Sequence, residues 1–256
     1  MTASALNILA VGATGSIGRH VVEEALRQGH SVRALVRDPR WSQLPDGVEL
    51  LTGDLTVPAD LTAAVEGIDG IVFTHGSHGG PSAAEALDYG GVRNVLLALA
   101  GRKPHLALMT AIGVTDRKGA HDWKRRAERL VRASGCPYTI VRPGWFDYND
   151  ADQHRLVFLQ GDTRQTGSPR DGVIARSQIA AVLVASLGSR QADRKTFELV
   201  AEMGAQQRDL DAVFAAAMAD AADALDGAKD AANMALDREP AAVLADLKAV
   251  RAASRP

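Results

Sequence analysis

Three glycines, Gly12, Gly15 and Gly18, stand three residues apart in the run VGATGSIGRH. Glycines placed this way serve phosphate binding. The first allows a tight exit from a strand, the second lets backbone approach a pyrophosphate, and the third lets a helix pack closely on the strand. The mouth of that helix offers free N–H groups and the positive end of its dipole. Thr14, Ser16 and Ile17 fill the arc between the glycines and belong to the same cradle. A glycine triplet alone is weak evidence, because any tight turn can need glycine. Here an apolar strand run precedes it, and a helical pattern and a second strand run follow where the motif requires them. The implied ligand is a dinucleotide.

Such a loop works only at the end of a strand in a sheet that can hold it. Short β-branched runs recur at 6–11, 31–36, 48–52, 70–74, 106–110 and 138–142. Segments of helical period lie between them, notably 17–28, 84–100 and 121–134. Strands alternating with helices of this length imply parallel pairing with right-handed crossovers. The strands are apolar without clean polar alternation, so both faces expect helical cover. The expected fold is α/β, a doubly wound parallel Rossmann sheet in the order 3-2-1-4-5-6. The 256 residues suit one domain, with a dinucleotide-binding core over 1–145 and a smaller substrate-covering lobe over 146–256. In that lobe the pattern predicts a strand at 156–159, a helix capped by Ser177 and running to 187, and a strand at 195–200. A helix over 207–225 would pack Leu210, Phe214, Met218 and Leu225, and a last helix would be entered through Pro240.

The spacing G-x-x-G-x-x-G is that of the short-chain dehydrogenase/reductase superfamily. GHSVRALVRDP, GDLT, GGVRNVLLAL, MTAIGV, Lys124 with Glu128, SGCPYTIVRPGWF and ARSQIAAVL follow in order. Together they resemble the atypical branch of that superfamily, the NAD(P)H-binding, NmrA-like and biliverdin-IXβ-reductase-like proteins, over about residues 6–190. The resemblance implies that Asp54 and Leu55 sit at the adenine, although Asp54 could equally cap the segment after it. It places Thr74, His75 and Gly76 along the adenosine ribose and pyrophosphate. Pro143, Gly144, Trp145 and Phe146 would bring backbone to the carboxamide, unless the two aromatics simply close the core.

The choice of cofactor turns on the end of the second strand. Binders of NAD place an acidic residue there for the ribose 2′-hydroxyl. This chain has Val36, which accepts nothing, followed by Arg37, which can pair with a 2′-phosphate. NADP(H) is the expected cofactor; the alternative gives the ribose to Asp38. Arg19 and Arg33 are lesser candidates to assist.

The chemistry is thinner than the binding. Ordinary members of the superfamily use a Ser or Thr together with Tyr-x-x-x-Lys, the tyrosine exchanging a proton with the substrate oxygen. Alignment on the resemblance puts the lysine at Lys124, the serine position at Thr110 and the tyrosine position at Ala120. No Tyr-x-x-x-Lys occurs anywhere in the chain. Lys124 retains a ribose-binding role without the tyrosine. His121, of a type that titrates near neutrality, is the first substitute proton donor, Tyr148 the second and His75 the third. The function expected is NADP(H)-dependent hydride transfer to a small carbonyl, quinone, flavin-like or sugar-derived substrate. An NADP(H)-binding redox sensor without turnover is the alternative that the missing tyrosine favours. The same absence weighs against a nucleotide-sugar epimerase or dehydratase.

Composition closes other routes. A formal net charge of −2 gives no field for nucleic acid or an anionic membrane. The basic run at 123–129 fits a helix and reads as a solvated face. The single cysteine, Cys136, cannot form an internal disulfide, and no leader or spanning stretch is evident, so a cytoplasmic protein is expected. His75 and His78 have metal-like spacing but no accompanying ligand cluster, so no metal is expected. The expected partner is a small-molecule substrate, with a homo-oligomer left open.

Overall fold

The structure is a computed structural model that describes residues 4–41 and 43–254. Its centre is one sheet in the order β3-β2-β1-β4-β5-β6-β10-β9-β7, with β8 paired to β10. The first six strands are β1 (Asn7–Val11), β2 (Ser31–Val36), β3 (Glu49–Thr52), β4 (Gly70–Phe73), β5 (His105–Met109) and β6 (Tyr138–Pro143). They run parallel in the expected order, because each apolar run is followed by a helix or turn that returns the chain to the same end. The residues after 145 do not build a second sheet. Four strands, β7 (Trp145–Phe146), β8 (Arg155–Leu159), β9 (Val173–Ile174) and β10 (Lys195–Glu202), extend the first one. Strand β10 lies parallel to β6 and antiparallel to β8 and β9.

Helices cover both faces. On one side α1 (Gly18–Arg27) and α5 (Arg176–Gly188) pack Val21, Val22, Ile179 and Leu183 against the sheet. On the other side α3 (Gly90–Ala98), α4 (Ala120–Ala133) and α7 (Ala241–Ala253) contribute Val95, Leu130 and Leu247. The chain enters α3 through a short turn, α2 (Pro81–Ala83), and a π-helical stretch at Ala84–Tyr89. Among the described residues no helix is long and apolar enough to cross a membrane.

Three expectations need correction. Helix α5 begins at Arg176, not after Ser177, and its first turn is closed by Gln178, whose Oε1 accepts the Ala175 N–H at 3.1 Å. The neighbouring side chain, not the serine, thus ties down the helix start. The segment 207–225 is helical only over α6 (Leu210–Ala216), which buries Phe214 but leaves Met218 53% exposed. The basic run on α4 is no solvated face. Arg125 and Arg129 are fully buried, and Arg126 is nearly so.

The last two corrections share one cause. Residues 217–239 leave the helical path to deliver carboxylates to α4. Asp226 receives Arg125 at 3.1 Å and Arg129 at 2.8 Å, and Glu239 receives Arg126 at 2.6 Å. Asp220 receives Arg132 at 3.0 Å. Asp230 takes both terminal nitrogens of Arg142 from β6 at 2.7 Å. A buried guanidinium is tolerable only when paired and hydrogen-bonded, so the arginines dictate the tail's course.

Candidate dinucleotide site

The glycine loop joins β1 to α1 at the C-terminal ends of the parallel strands, where open α/β sheets hold ligands. The three glycines do different jobs. Gly12 has φ +87°, and a Cβ there would stand 2.5 Å from the His75 nitrogen. A Cβ on Gly18 would overlap the Gly12 carbonyl oxygen and lie 2.7 Å from its carbon. A Cβ on Gly15 meets only the Gly12 oxygen, at 3.2 Å. The protein itself therefore explains Gly12 and Gly18 but leaves the space over Gly15 open. Thr14, Gly15 and Ser16 are exposed, whereas Ile17 is turned into the core. The exposed arc and the open space fit a dinucleotide phosphate, with Gly15 and Ser16 presenting backbone to it.

Next to the loop, the end of β4 forms a tight polar cluster. Thr74 donates its hydroxyl to the Val11 carbonyl at 3.2 Å. His75 Nε2 faces the Leu87 carbonyl at 3.2 Å, and that oxygen can only accept, so Nε2 carries the proton. Its Nδ1 is buried with no hydrogen-bond partner in the structure. Burial pushes the His75 imidazole down to about 4, against the opposing charge of Asp88. Gly76 is exposed beside it, while His78 lies exposed two residues on.

Asp88 ties this cluster to α4. It is 5% exposed and sits in the π-helical stretch, a distortion that often marks functional positions. It accepts from Ser77 N at 3.1 Å, from Ser77 Oγ at 2.5 Å and from Lys124 Nζ at 3.0 Å. Asp88 thus links Lys124 to Ser77, two residues after His75, and neither Asp88 nor Ser77 is marked in the sequence reading. No polarity pattern marks Asp88, because its inward aim depends on the local π-helical register.

His121 lies in the first turn of α4, and its Nδ1 is 3.0 Å from the Gly113 carbonyl. That contact places the proton on Nδ1 and leaves Nε2 as an acceptor. Thr110 is committed elsewhere. It is 5% exposed, and its hydroxyl donates to Glu128 at 2.7 Å, inside the arginine network. Among the described residues no hydrogen bond joins that hydroxyl to His121 or Lys124. Tyr148 is 62% exposed and stacks edge-on against Trp145, with ring centres 6.0 Å apart.

At the adenosine end, Asp54 accepts from Thr56 N and Oγ1 at 2.8 and 2.7 Å, which holds its carboxyl below the usual range. These bonds close a local turn from Asp54 to Thr56, while the short helical turn at Pro58–Leu61 is entered through Val57 without a side-chain cap. Leu55 is held by Asn94, a buried side chain that donates to its carbonyl at 2.8 Å. Arg37 is exposed at the end of β2, and its charge also lowers Asp54. Asp38 receives the Arg40 backbone N–H at 3.0 Å and its guanidinium at 2.7 Å. Arg33 is drawn away to Glu49 and to the carbonyls of Ala63, Ala64 and Glu66, and Arg19 folds back onto the Thr14 carbonyl.

The run after β6 is also engaged in the sheet. Pro143 accepts from Ile112, Gly144 N donates to Leu199, and Trp145 N donates to Gly172. Gly144 permits this approach, since a Cβ there would stand 2.5 Å from the Gly172 oxygen. The amides of Gly144 and Trp145 are therefore not free for a carboxamide. Phe146 lies under the guanidinium of Arg176, 5.3 Å from the ring centre.

The fold and the phosphate-ready loop define the class, a protein of the Rossmann type built to hold a dinucleotide. The family model described as NAD(P)H-binding matches residues 12–190, and the chain belongs to that family. Among relatives, an uncharacterized sugar epimerase of Bacillus subtilis is 28% identical over 211 residues, covering 76% of this chain and 94% of that one. Protein TIC 62, chloroplastic, of rice is 32% identical over 234 residues, covering 76% of this chain; the chain spans about half (46%) of its length. The structure of an NADPH-dependent quinone oxidoreductase from Escherichia coli complexed with NADPH superposes with a TM-score of 0.58. It is 21% identical, covering 77% of this chain and 71% of that one. The family resemblance read from the ordered motifs is borne out.

Proposed function

We propose that the chain is an NADP(H)-dependent oxidoreductase acting on a small carbonyl, quinone, flavin-like or sugar-derived substrate. One juxtaposition carries this reading. The open space over Gly15 lies at the end of β1, and Arg37 stands exposed at the end of the neighbouring β2. Arg37 offers a guanidinium where a 2′-phosphate would come, with Arg40 two residues beyond engaging Asp38. The same fold serves the Escherichia coli quinone oxidoreductase with its NADPH.

The bound nicotinamide supplies hydride chemistry; this chain's part is to orient and to handle the proton. Lys124, pinned by Asp88, holds the nicotinamide ribose. His121, fixed through Nδ1 to the Gly113 carbonyl, would take up a proton from solvent at Nε2 and pass it to the substrate oxygen. Trp145 and Tyr148, exposed and in edge-on contact, would form an aromatic wall for the substrate.

Titration of the purified protein with NADPH and NADH tests the cofactor. NADPH binds more tightly, and Arg37→Ala weakens NADPH by about 10-fold or more while sparing NADH, as loss of a charge-assisted contact requires. Equal affinities untouched by Arg37→Ala refute the assignment. Loss of nicotinamide absorbance with a panel of quinones, flavins and aldehydes tests turnover. A second reading, an NADP(H)-binding redox sensor, is favoured by Ala120 and by the commitment of Thr110 to Glu128. Tight binding with no turnover on any substrate decides for it.

A further inference from the structure

We propose that Arg176 is a phosphate-contacting residue of the dinucleotide site, a role that rests on the glycine loop holding that ligand. Arg176 opens α5, far along the chain from the loop, yet its Nε lies 3.2 Å from Ser16 Oγ. Ser16 belongs to the exposed arc over Gly15. The guanidinium donates to the serine oxygen, so the serine's own O–H is left to donate outward. One arginine edge and one hydroxyl thus meet at the point where the loop presents its backbone.

The present partner of that guanidinium is weakly held. Arg176 Nη1 is ion-paired with Asp147, whose other oxygen accepts the Arg176 backbone N–H at 3.0 Å. The side chains are 32% and 48% exposed, and a solvated single pair contributes little to stability. Phe146 supports the guanidinium plane from beneath, which keeps it near the loop when the carboxylate is exchanged. A phosphate at the loop offers charged oxygens suited to the planar guanidinium fork, at no change in the cation's location. Arg176 therefore trades Asp147 for a phosphate oxygen on binding, and Asp147 acts as the competing anion that holds the arginine ready.

This assigns Arg176 to a group common to both cofactors, unlike Arg37, which faces the group that distinguishes them. The test is equilibrium binding of NADPH and NADH to wild type, Arg176→Ala, Arg176→Lys and Asp147→Asn, with melting temperatures recorded alongside. Arg176→Ala weakens both cofactors by the same factor, about 10-fold or more, and reduces the salt dependence of binding; Arg176→Lys recovers part of it. Asp147→Asn breaks the same ion pair but binds both cofactors at least as tightly as wild type, because the competitor is gone. Wild-type affinity in Arg176→Ala overturns the inference alone. So does weakening by Asp147→Asn equal to that of Arg176→Ala, which makes the pair merely structural. Failure of wild type to bind either cofactor overturns the dinucleotide reading and this inference with it.

Discussion

The three loop glycines make a test in which the protein's own needs and the ligand's needs separate. Alanine at Gly18 places a methyl carbon against a backbone carbonyl, 2.7 Å from its carbon and 2.9 Å from the Ala13 Cα. No side chain can rotate away there, so the backbone must move. Alanine at Gly12 combines a φ of +87° with a contact of 2.5 Å to the His75 nitrogen. Positive φ costs about 1–2 kcal/mol for a residue with a Cβ, and overpacking adds about 1–3 kcal/mol. Gly12→Ala, which carries both costs, and Gly18→Ala, whose methyl overlaps backbone without relief, should each lose about 3 kcal/mol, a fall in melting temperature of roughly 6–12 °C for a chain of this size. Gly15 is different. Its φ is not positive, and the added methyl touches only one oxygen, at 3.2 Å. Gly15→Ala should stay within about 1 kcal/mol of wild type. Its methyl instead occupies the space through which a phosphate reaches the backbone, so NADPH affinity should fall by about 10- to 100-fold. Thermal unfolding and fluorescence titration on the three variants read both quantities. Loss of stability in Gly15→Ala comparable to Gly18→Ala, or wild-type affinity in a folded Gly15→Ala, would refute this division of roles.

Two further outcomes concern the buried network behind the site. Thr110→Val deletes a buried donor to Glu128, whose Oε1 keeps Arg142 at 3.0 Å; stability should drop by about 1–2 kcal/mol with NADPH affinity unchanged. An equal loss of cofactor affinity would show that Thr110 does serve the site. Glu198 is pushed up to about 7 by burial, with Asp162 adding to it and Arg142 opposing. A carboxyl raised from its ordinary value of 4.5 binds a proton in the folded state that the unfolded chain has released, so this group's contribution falls as pH rises between about 4.5 and 7. Full ionisation costs about 3 kcal/mol at one pKa unit per 1.36 kcal/mol, and Glu198→Gln should remove that decline from denaturant unfolding followed across pH. Parallel pH profiles for the two proteins would exclude it.

The core of the fold was legible because it depends on local apolar patterning. Each of β1 to β6 is a short apolar run followed by a helix or turn, and that rhythm permits few parallel topologies. The glycine loop was equally readable, since Gly12 and Gly18 are fixed by contacts within the strand–loop–helix unit and the adjoining end of β4. The tail was not. Residues 217–239 follow the positions of arginines nearly a hundred residues earlier, and no periodicity encodes a partner that distant. Arg176 posed the same difficulty: it meets Ser16 only because α5 and α1 pack on one face of the sheet. Asp88 was hidden for a different reason, its inward aim being set by a π-helical register that alters the count of residues per turn.

Helix α4 is where these two kinds of information meet. Its first turns carry His121 and Lys124 toward the strand ends, while Arg125, Glu128, Arg129 and Arg132 lock the rest into the core. Glu128 is the hinge of the arrangement, taking Thr110 from the end of β5 at 2.7 Å and Arg142 from β6 at 2.7 Å. The resemblance puts Ala120 where the ordinary superfamily has its tyrosine, and the Thr110 hydroxyl serves the helix. Under the proposed oxidoreductase reading the proton would come from the exposed side of the site, and His121 Nε2, once protonated from solvent, is the first place to look. His121→Gln, which can keep a donor to the Gly113 carbonyl but cannot deliver a proton, should abolish turnover while leaving NADPH affinity within about 3-fold, a change of less than 1 kcal/mol. Undiminished turnover in that variant would remove His121 from the mechanism and leave Tyr148 as the remaining exposed donor of the pocket.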